Sequence, residues 1–170
     1  MANKLTFRGK VWCLGDNIDT DQILPGYAMS YPQEQLKFHA LAGSAVADFA
    51  KRVQAGDILI AGNNFGAGSS REQAPVALQE AGVGAIIAES FARIFRRNAI
   101  NIGLPVMCAD IAGKVKDGDE IIVDLAAGEV TLPDKTIIKG QRPGDNVLAV
   151  LAAGGLIPKV RKQMQQEREE

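Results

Sequence analysis

Two polar segments of the sequence carry residue types that could do chemistry. The first is a glycine-rich loop that ends in Ser69, Ser70 and Arg71, directly ahead of a predicted helix. Free backbone N–H groups at a helix start attract anions, and an arginine adds a fork that fits a carboxylate. Gly68, within the loop, would let a ligand approach the backbone closely. These features predict an anion-binding loop for a carboxylate or a phosphate.

A simpler interpretation of this loop is an ordinary helix cap. One serine before a helix would stabilise it by about 1 kcal/mol, with an exposed arginine beside it. That interpretation explains neither the second serine nor the length of the glycine-rich stretch. Two known nucleotide-binding patterns do not fit. A P-loop requires Gly-Lys-Ser/Thr, and the dinucleotide fingerprint requires a glycine where Arg71 stands.

The second polar segment follows the first predicted strand and contains Asp16, Asp19 and Asp21. Its spacing does not match a calcium-binding EF-hand loop. We expect either turn geometry, in which the carboxylates bond backbone amides, or pairing with an arginine. The candidate partners are Arg71, Arg93, Arg96 and Arg97. The last three form a basic helix face that is solvated or that holds a substrate carboxylate or a partner protein.

Three further residues have side chains that can bind metals or act as nucleophiles, but we predict neither role for any of them. Cys13 and Cys108 lie far apart in strand-like surroundings, which excludes a disulfide framework and a self-contained four-cysteine metal site. Both are predicted to be small buried hydrophobic residues. His39 is predicted to be a partly exposed helix residue. Without a secretory signal at the N-terminus, the reducing cytoplasm is the expected compartment.

The elements that must position these residues alternate between short strands and helices. The predicted strands are 5–14, 57–61, 85–88, 104–108, 120–125, 129–132 and 135–138. The predicted helices are 32–42, 44–53, 72–81, 91–101 and 145–153. Alternation followed by hairpins predicts an α/β fold with a mixed, partly parallel sheet flanked by helices. We expect residues 1–170 to form one domain, with 158–170 as a solvated helix or tail.

Composition narrows the function classes. Of the 170 residues, 46% are hydrophobic and 23% are charged, as in ordinary globular proteins, which excludes disorder of the whole chain. No apolar run approaches the ~18 residues that a membrane span needs. The net charge of −1 disfavours a nucleic-acid-binding role.

Three long motifs carry a resemblance to a known family. They are GDNIDTDQILP at 15–25, GNNFGAGSSRE at 62–72 and SFARIFRRNAINIGL at 90–104. In this order and spacing they resemble the swivel domain of the aconitase superfamily. The closest resemblance is to the free-standing small subunits of isopropylmalate isomerases and homoaconitases. The motifs cover roughly the first two-thirds of the chain.

The resemblance implies a swivelling β/β/α domain that works as part of a hydro-lyase. Family members remove water from 2-hydroxy di- or tricarboxylates and in some cases add it back. A [4Fe–4S] cluster on a separate large subunit acts there as the Lewis acid for the hydroxyl group. We therefore expect a large-subunit partner, no metal bound by this chain, and no activity of this chain alone. Isolated copies could associate through the exposed docking face.

The resemblance also implies roles for individual residues. Ser69 is the general base, as an alkoxide, and Ser70 and Arg71 hold substrate carboxylates beside Gly68. An alkoxide needs strongly positive surroundings, which the helix start and Arg71 would supply in part. The remaining implied residues have a structural or supporting role. These are Asp19, Asp21 and Arg93.

The family's substrate-specificity loop corresponds here to Tyr27, Ala28, Met29 and Ser30. Where family members carry an arginine, it would pair with a third substrate carboxylate, which Met29 cannot do. 3-Isopropylmalate, an intermediate of leucine biosynthesis, is therefore favoured over homocitrate. Citramalate and dimethylmalate remain alternatives, because this loop is one residue shorter than the family pattern. A non-catalytic carboxylate-binding or interaction module is the alternative of another class.

Overall fold

A computed structural model describes residues 5–169 of the chain. The strands within these residues are β1 (Thr6–Cys13), β2 (Ile58–Ala61), β3 (Ala85–Ala88), β4 (Val106–Cys108), β5 (Glu120–Asp124), β6 (Glu129–Thr131) and β7 (Ile137–Lys139). They form one seven-stranded sheet in the order β4-β3-β2-β1-β5-β6-β7. This mixed sheet with its helices confirms the predicted α/β class.

Of the helices within residues 5–169, the first five lie on the connections from β1 to β4, and the last two follow β7. They are α1 (Thr20–Ile23), α2 (Gln33–Leu36), α3 (Phe49–Arg52), α4 (Gln73–Ala81), α5 (Arg93–Asn101), α6 (Asp145–Ala152) and α7 (Leu156–Glu169). Short 3-10 helices span Gly26–Ser30 and Lys37–His39. Among the described helices, none combines the length and apolar content that crossing a membrane requires.

The sheet has a parallel half and an antiparallel half that share β1. On one side β1 pairs in parallel with β2, and the pairing continues through β3 to β4. All residues of β2 and β3 are buried, as expected for strands covered on both faces. On the other side β1 pairs antiparallel with β5, followed by the β5–β6–β7 meander. Because these parallel strands run in the same direction, the loops after β1, β2 and β3 lie at one edge of the sheet.

The predicted helices over 32–42 and 44–53 are wrong in extent. The chain forms only short turns of helix there, and Leu41 adopts a left-handed backbone with a φ of 58°. Its N–H donates to the carbonyl of Ile23 at 2.7 Å, and its side chain is fully buried. A packing contact with α1 therefore outweighs the local helical pattern.

The two helices nearest the polar loops begin close to the predicted positions. α4 begins at Gln73, with Pro75 in its first turn, where the missing proline N–H costs no hydrogen bond. It ends at Gly82, which has a left-handed backbone. α5 begins at Arg93, two residues after the predicted start at Phe91. The C-terminal helix α7 has no buried residues.

Candidate active site

The glycine-rich loop after β2 is bonded along one side to the loop after β1. The N–H of Gly66 donates to the carbonyl of Ile18 at 2.7 Å, and the N–H of Thr20 donates to the carbonyl of Ala67 at 2.8 Å. These bonds give a short parallel bridge between the two segments. Two motifs that are more than forty residues apart in sequence are thus joined by main-chain bonds.

The same loop is bonded along its other side to the loop after β3. The N–H of Phe65 donates to the carbonyl of Ser90 at 3.0 Å, and the N–H of Ala92 donates to the carbonyl of Phe65 at 2.9 Å. The Ser90 hydroxyl also accepts the N–H of Asn64 at 2.8 Å. The structure therefore brings all three family-like motifs together at one edge of the sheet.

Gly66 is required at its position by backbone geometry and by space. Its φ of +87° lies in the left-handed region, and a Cβ built there would overlap the ring of Phe95. Phe95 belongs to a cluster of rings with Phe65 and Phe91, whose centroids lie 5.2 to 6.5 Å apart. This aromatic cluster packs against the glycine-rich loop. The cluster therefore fixes the position of the loop residues that follow Gly66.

Ser69 and Ser70 follow this supported stretch and are both exposed. The N-cap residue of α4 is Glu72, and no side chain caps the helix. The two serines therefore lie just before the helix start, as predicted, but neither acts as its cap. The simple capping interpretation of these serines is excluded.

Ser69 is held by a contact from the other motif. Its Oγ lies 3.1 Å from Oγ1 of Thr20, and either atom can donate the hydrogen bond. Thr20 itself is only 3% exposed. Gly68 lies directly against this pair, because a Cβ built on it would be 3.1 Å from the Thr20 Oγ1.

Arg71 spans the space between the two loops. Its Nη1 donates to a carboxylate oxygen of Asp21 and to the carbonyl of Leu24 at 3.1 Å. The arginine side chain is 22% exposed, whereas that of Asp21 is 69% exposed. Part of the positive charge that the sequence assigned to this site is therefore balanced by Asp21, while the guanidinium keeps further N–H groups for a ligand.

The three acidic residues after β1 adopt the arrangements that the sequence left open. Asp19 caps α1 and accepts the N–H of Gln22 at 2.8 Å, and the Gln22 side chain bonds back to Asp19. Asp16 accepts the N–H of Asn63 at 2.6 Å. With Asp21 paired to Arg71, all three carboxylates hold the polypeptide in place.

The predicted specificity loop forms a 3-10 helix, Gly26–Ser30, whose residues face different ways. Ala28 is fully buried, so its side chain packs in the core and does not face a ligand. Met29 is half-buried and lines a cavity of about 310 Å³ with residues of α2 and α4. The lining of that cavity includes Glu72, the residue after Arg71, but does not include Ser69. Tyr27 is 60% exposed.

His39 packs between two tyrosines of this region. Its ring stacks on Tyr31 with centroids 4.9 Å apart and meets Tyr27 edge-on at 5.5 Å. It is half-buried in a short 3-10 helix. The histidine therefore contacts Tyr27, within the 3-10 helix that carries Met29, and Tyr31, the residue directly after that helix.

Arg93 lies at the start of α5 and is exposed. Together with Arg96 and Arg97 it lines a groove of about 340 Å³ between α5 and α6, whose lining includes Val147 and Val150. The basic residues of this helix thus face α6, in a groove whose lining includes neither Ser69 nor Arg71.

The described residues do not fit an iron–sulfur cluster. Within residues 5–169, no three histidine, cysteine or acidic side chains are grouped closely enough to hold a metal ion. Burial and the nearby Asp117 and Asp119 raise the pKa of Cys13 to about 11, and burial raises the pKa of Cys108. A cluster ligand must be a thiolate, which these surroundings disfavour.

The arrangement can bind an organic anion beside a serine hydroxyl. Arg71 and the helix start supply positive charge, and the exposed hydroxyls of Ser69 and Ser70 are next to them. Thr20 is the participant that sequence reasoning did not identify. No sequence signal distinguishes it, because its contact with Ser69 joins residues 49 positions apart.

The family comparison decides what this chain is related to. Residues 17–110, which contain the three motifs, match the model of the aconitase C-terminal domain. This chain belongs to the aconitase family. Its membership agrees with the resemblance inferred from the motifs, and this family is one of iron–sulfur hydro-lyases.

Similar curated proteins are named as small subunits. The isopropylmalate/citramalate isomerase small subunit of Methanocaldococcus jannaschii is 48% identical over 92% of this chain and 95% of its own length. The methanogen homoaconitase small subunit of Methanothermobacter thermautotrophicus is 52% identical over 88% of each. The 3-isopropylmalate dehydratase small subunit of Halothermothrix orenii is 46% identical over 92% of this chain and 96% of its own length.

A solved structure from this family matches nearly the whole chain. The crystal structure of 3-isopropylmalate dehydratase from Methanocaldococcus jannaschii has a TM-score of 0.89 and 40% identity, covering 97% of this chain and 99% of that one. Aconitase X from Thermococcus kodakaraensis, at 18% identity and a TM-score of 0.51, shares the fold.

Proposed function

We propose that this chain is the small subunit of a 3-isopropylmalate dehydratase. This enzyme is a hydro-lyase that interconverts 2- and 3-isopropylmalate by removing and returning water. The observation that carries the proposal is that hydrogen bonds join the segment with Ser69 and Arg71 to the loop after β1. Several relatives that cover almost the whole chain bear this enzyme's name.

Ser69 is the base in this proposal. Its Oγ, as an alkoxide, takes the proton from the carbon next to a substrate carboxylate and becomes a neutral hydroxyl. The electron pair of that C–H bond forms the double bond, and the hydroxide that leaves the neighbouring carbon would be accepted by the Lewis acid of the large subunit. Proton removal leaves negative charge on the substrate, so a nearby cation stabilises the transition state. The exposure of Ser69 and the closeness of Arg71 in the chain support this role.

Arg71 and Ser70 hold the substrate carboxylates beside Gly68. The contacts of Arg71 with Asp21 and Leu24 use Nη1, which leaves Nη2 and Nε to meet a carboxylate. Asp19 and Asp21 support the site by fixing the loop and the arginine. Arg93 has a supporting place at the start of α5, where it follows the loop bonded to Phe65.

The substrate assignment rests on Met29 and on the relatives' names. An apolar thioether near the substrate suits an isopropyl group better than a third carboxylate. In the isolated chain Met29 lines a cavity next to α4, and we propose that this cavity opens toward the substrate in the complete enzyme. Citramalate and homocitrate are the alternatives that two relatives' names favour.

The proposal requires a second polypeptide. A large subunit would carry the [4Fe–4S] cluster, and the chemistry at the substrate hydroxyl belongs to that cluster. This chain then contributes the base and the carboxylate-binding groups and is inactive alone. A cytoplasmic location is part of the proposal and is supported by the two free thiols, Cys13 and Cys108.

Reconstitution tests the function directly. The chain is mixed anaerobically with a cluster-bearing large subunit, and the absorbance of the unsaturated intermediate is followed with isopropylmalate, citramalate, dimethylmalate and homocitrate. We expect the highest kcat/KM with isopropylmalate. An equal or higher value with homocitrate would contradict the Met29 argument, and no turnover with any large subunit would leave a non-catalytic carboxylate-binding module.

Replacement of the base is the sharper test. Ser69→Ala should lower kcat by at least about 10³-fold while the two subunits still assemble, because it removes the proton acceptor. Thr136→Ala removes an exposed hydroxyl on the turn between β6 and β7 and should keep full activity. Substantial turnover by Ser69→Ala in the assembled enzyme would refute the assignment of Ser69.

A further inference from the structure

The hydroxyl of Thr20 is a buried polar group that the proposed reaction has not used. Thr20 and Asp57 are the buried polar residues among residues 5–169. Asp57 serves the structure by accepting hydrogen bonds from Trp12 Nε1 at 2.8 Å and from the N–H of Gln54 at 2.9 Å. The hydroxyl of Thr20, in contrast, meets the exposed hydroxyl of Ser69.

We propose that Thr20 is a positioning residue for Ser69. Its hydroxyl holds the Ser69 Oγ in one orientation and donates a hydrogen bond to that oxygen while the oxygen is deprotonated, before it takes the substrate proton. This inference rests on the proposed function, because it assigns Thr20 a part in the reaction that Ser69 performs there.

Thr20 is rigidly fixed. Its N–H donates to the carbonyl of Ala67 at 2.8 Å, and its carbonyl accepts the N–H of Leu24 at 2.8 Å. It is the first residue of α1, directly after the capping Asp19. Threonine also has few side-chain rotamers, because its β-carbon is branched. A fixed hydroxyl on a buried residue can therefore orient a serine on an exposed loop.

Gly68 leaves the space that the contact between the Thr20 and Ser69 hydroxyls needs. A Cβ at this position would lie 3.1 Å from the Thr20 Oγ1, which is closer than nearly all ordinary contacts of a Cβ atom. Any side chain at 68 would therefore crowd the hydroxyl that meets Ser69. The glycine directly before the serines thus has a role in addition to letting a ligand approach the backbone.

The direction of the hydrogen bond follows from the chemistry of the base. A hydroxyl carries one donor and two acceptor positions, whereas a deprotonated serine oxygen only accepts. Thr20 must then donate to Ser69 before proton transfer. After transfer, Ser69 carries the proton and can in turn donate to Thr20. Hydrogen bonds to charged oxygens are stronger than neutral ones, so Thr20 favours the basic form of Ser69.

The test compares two substitutions in the enzyme reconstituted with its large subunit. Thr20→Val keeps the shape and removes the hydroxyl, and we expect kcat to fall about 10- to 100-fold with KM nearly unchanged. Thr20→Ser restores a hydroxyl and should recover most of kcat. Thr131→Val, on β6, is the matched control and should behave like the wild type.

Three outcomes would overturn the inference. They are an unchanged kcat in Thr20→Val, a loss confined to KM, and a Thr20→Ser variant as impaired as Thr20→Val. If Thr20→Val does not assemble, as judged by gel filtration, Thr20→Ala removes the same hydroxyl without adding a methyl group in its place. Failure of the inference alone leaves the wild type active, whereas an inactive wild type refutes the proposed function and this inference with it.

A double substitution separates positioning from a general structural effect. If Thr20 acts through Ser69, adding Thr20→Val to Ser69→Ala should not lower the residual rate further. A further loss of about the same factor as in the single variant would show that Thr20 acts independently of Ser69, and would overturn the proposal.

Discussion

Two loops border the candidate site, and they are held in different ways. The loop that carries Ser69 is bonded through its main chain to neighbouring loops on both sides. The 3-10 helix Gly26–Ser30 is held largely by side chains: Ala28 packs in the core, and His39 clamps Tyr27 and Tyr31. Main-chain bonds do not depend on side-chain identity, whereas packing contacts do.

Under the proposed function, this difference separates the loop that performs the chemistry from the loop that selects the substrate. The atom that takes a proton must keep a fixed position relative to the reacting carbon, because a small displacement lowers the rate strongly. Main-chain bonds to two neighbouring segments fix the loop that carries this atom. A loop held by side chains can exchange one apolar or charged residue for another without moving the base. Substrate range can therefore vary on the second loop while the first stays unchanged.

Substitution of Gly66 should have the largest effect on stability. Gly66→Ala places a methyl group against Phe95 on a left-handed backbone, so we expect the free energy of unfolding to fall by about 2–5 kcal/mol. Thermal or urea unfolding followed by circular dichroism measures the change. Gly15→Ala is the control, because a Cβ there meets nothing within 4 Å. Equal stability of the two variants would contradict the idea that the first loop depends on packing against the aromatic cluster of Phe65, Phe91 and Phe95.

Arg71 connects the loop that carries Ser69 to the loop after β1, and its replacement should have an intermediate effect. Arg71→Lys keeps the charge but loses the fork that can bond Asp21, Leu24 and a carboxylate together. We expect KM to rise about 10- to 100-fold, as for loss of a charged hydrogen bond. Steady-state kinetics of the reconstituted enzyme measure it.

The control for Arg71 is Arg97→Lys, an exposed position on α5 that should leave KM unchanged. A wild-type KM in Arg71→Lys would show that charge alone, without the fork geometry, is sufficient at this position.

Substitution of His39 should have the smallest effect and should appear in selectivity. His39→Ala removes the ring between Tyr27 and Tyr31, and we expect the ratio of kcat/KM for isopropylmalate over citramalate to fall about threefold, since aromatic pairs contribute about 0.5–1.5 kcal/mol. His39→Phe should restore the ratio. Phe38→Ala, which removes a neighbouring ring that is 64% exposed, is the control. A loss of stability with an unchanged ratio would mean that the clamp does not reach the substrate.

The alternation of strands and helices sufficed to predict the sheet class. β2 and β3 are short apolar runs bounded by glycine or polar residues, and Gly82 ends α4 as its sequence position suggests. The region 32–53 was predicted poorly because its backbone is shaped by contacts distant in sequence. The bond of Leu41 to Ile23 is one of them, and local propensity contains no information on it.

In the candidate site, too, local features could be predicted from the sequence and contacts between distant segments could not. Polar residue types and the family resemblance identified the loop with Ser69 and Arg71 from the sequence alone. The partner of Arg71 could be narrowed only to a few acids, and the contact of Ser69 with Thr20 could not be predicted, because both depend on how the loop after β1 meets the loop after β2. Whether Met29 faces a ligand also depends on tertiary packing, which separates its cavity lining from Ser69.

The shared strand β1 has a practical consequence for protein engineering. Cys13 at its end is aligned with Ile60 of β2, and the N–H of Leu14 donates to the carbonyl of Ile60 at 2.7 Å. The sheet itself therefore anchors both polar loops at neighbouring points. Residues 26–39 belong to the connection between these two anchors. Under the proposed function, the corresponding segment of a relative with another substrate could be grafted here to redirect the enzyme, while the residues that transfer the proton are left unchanged.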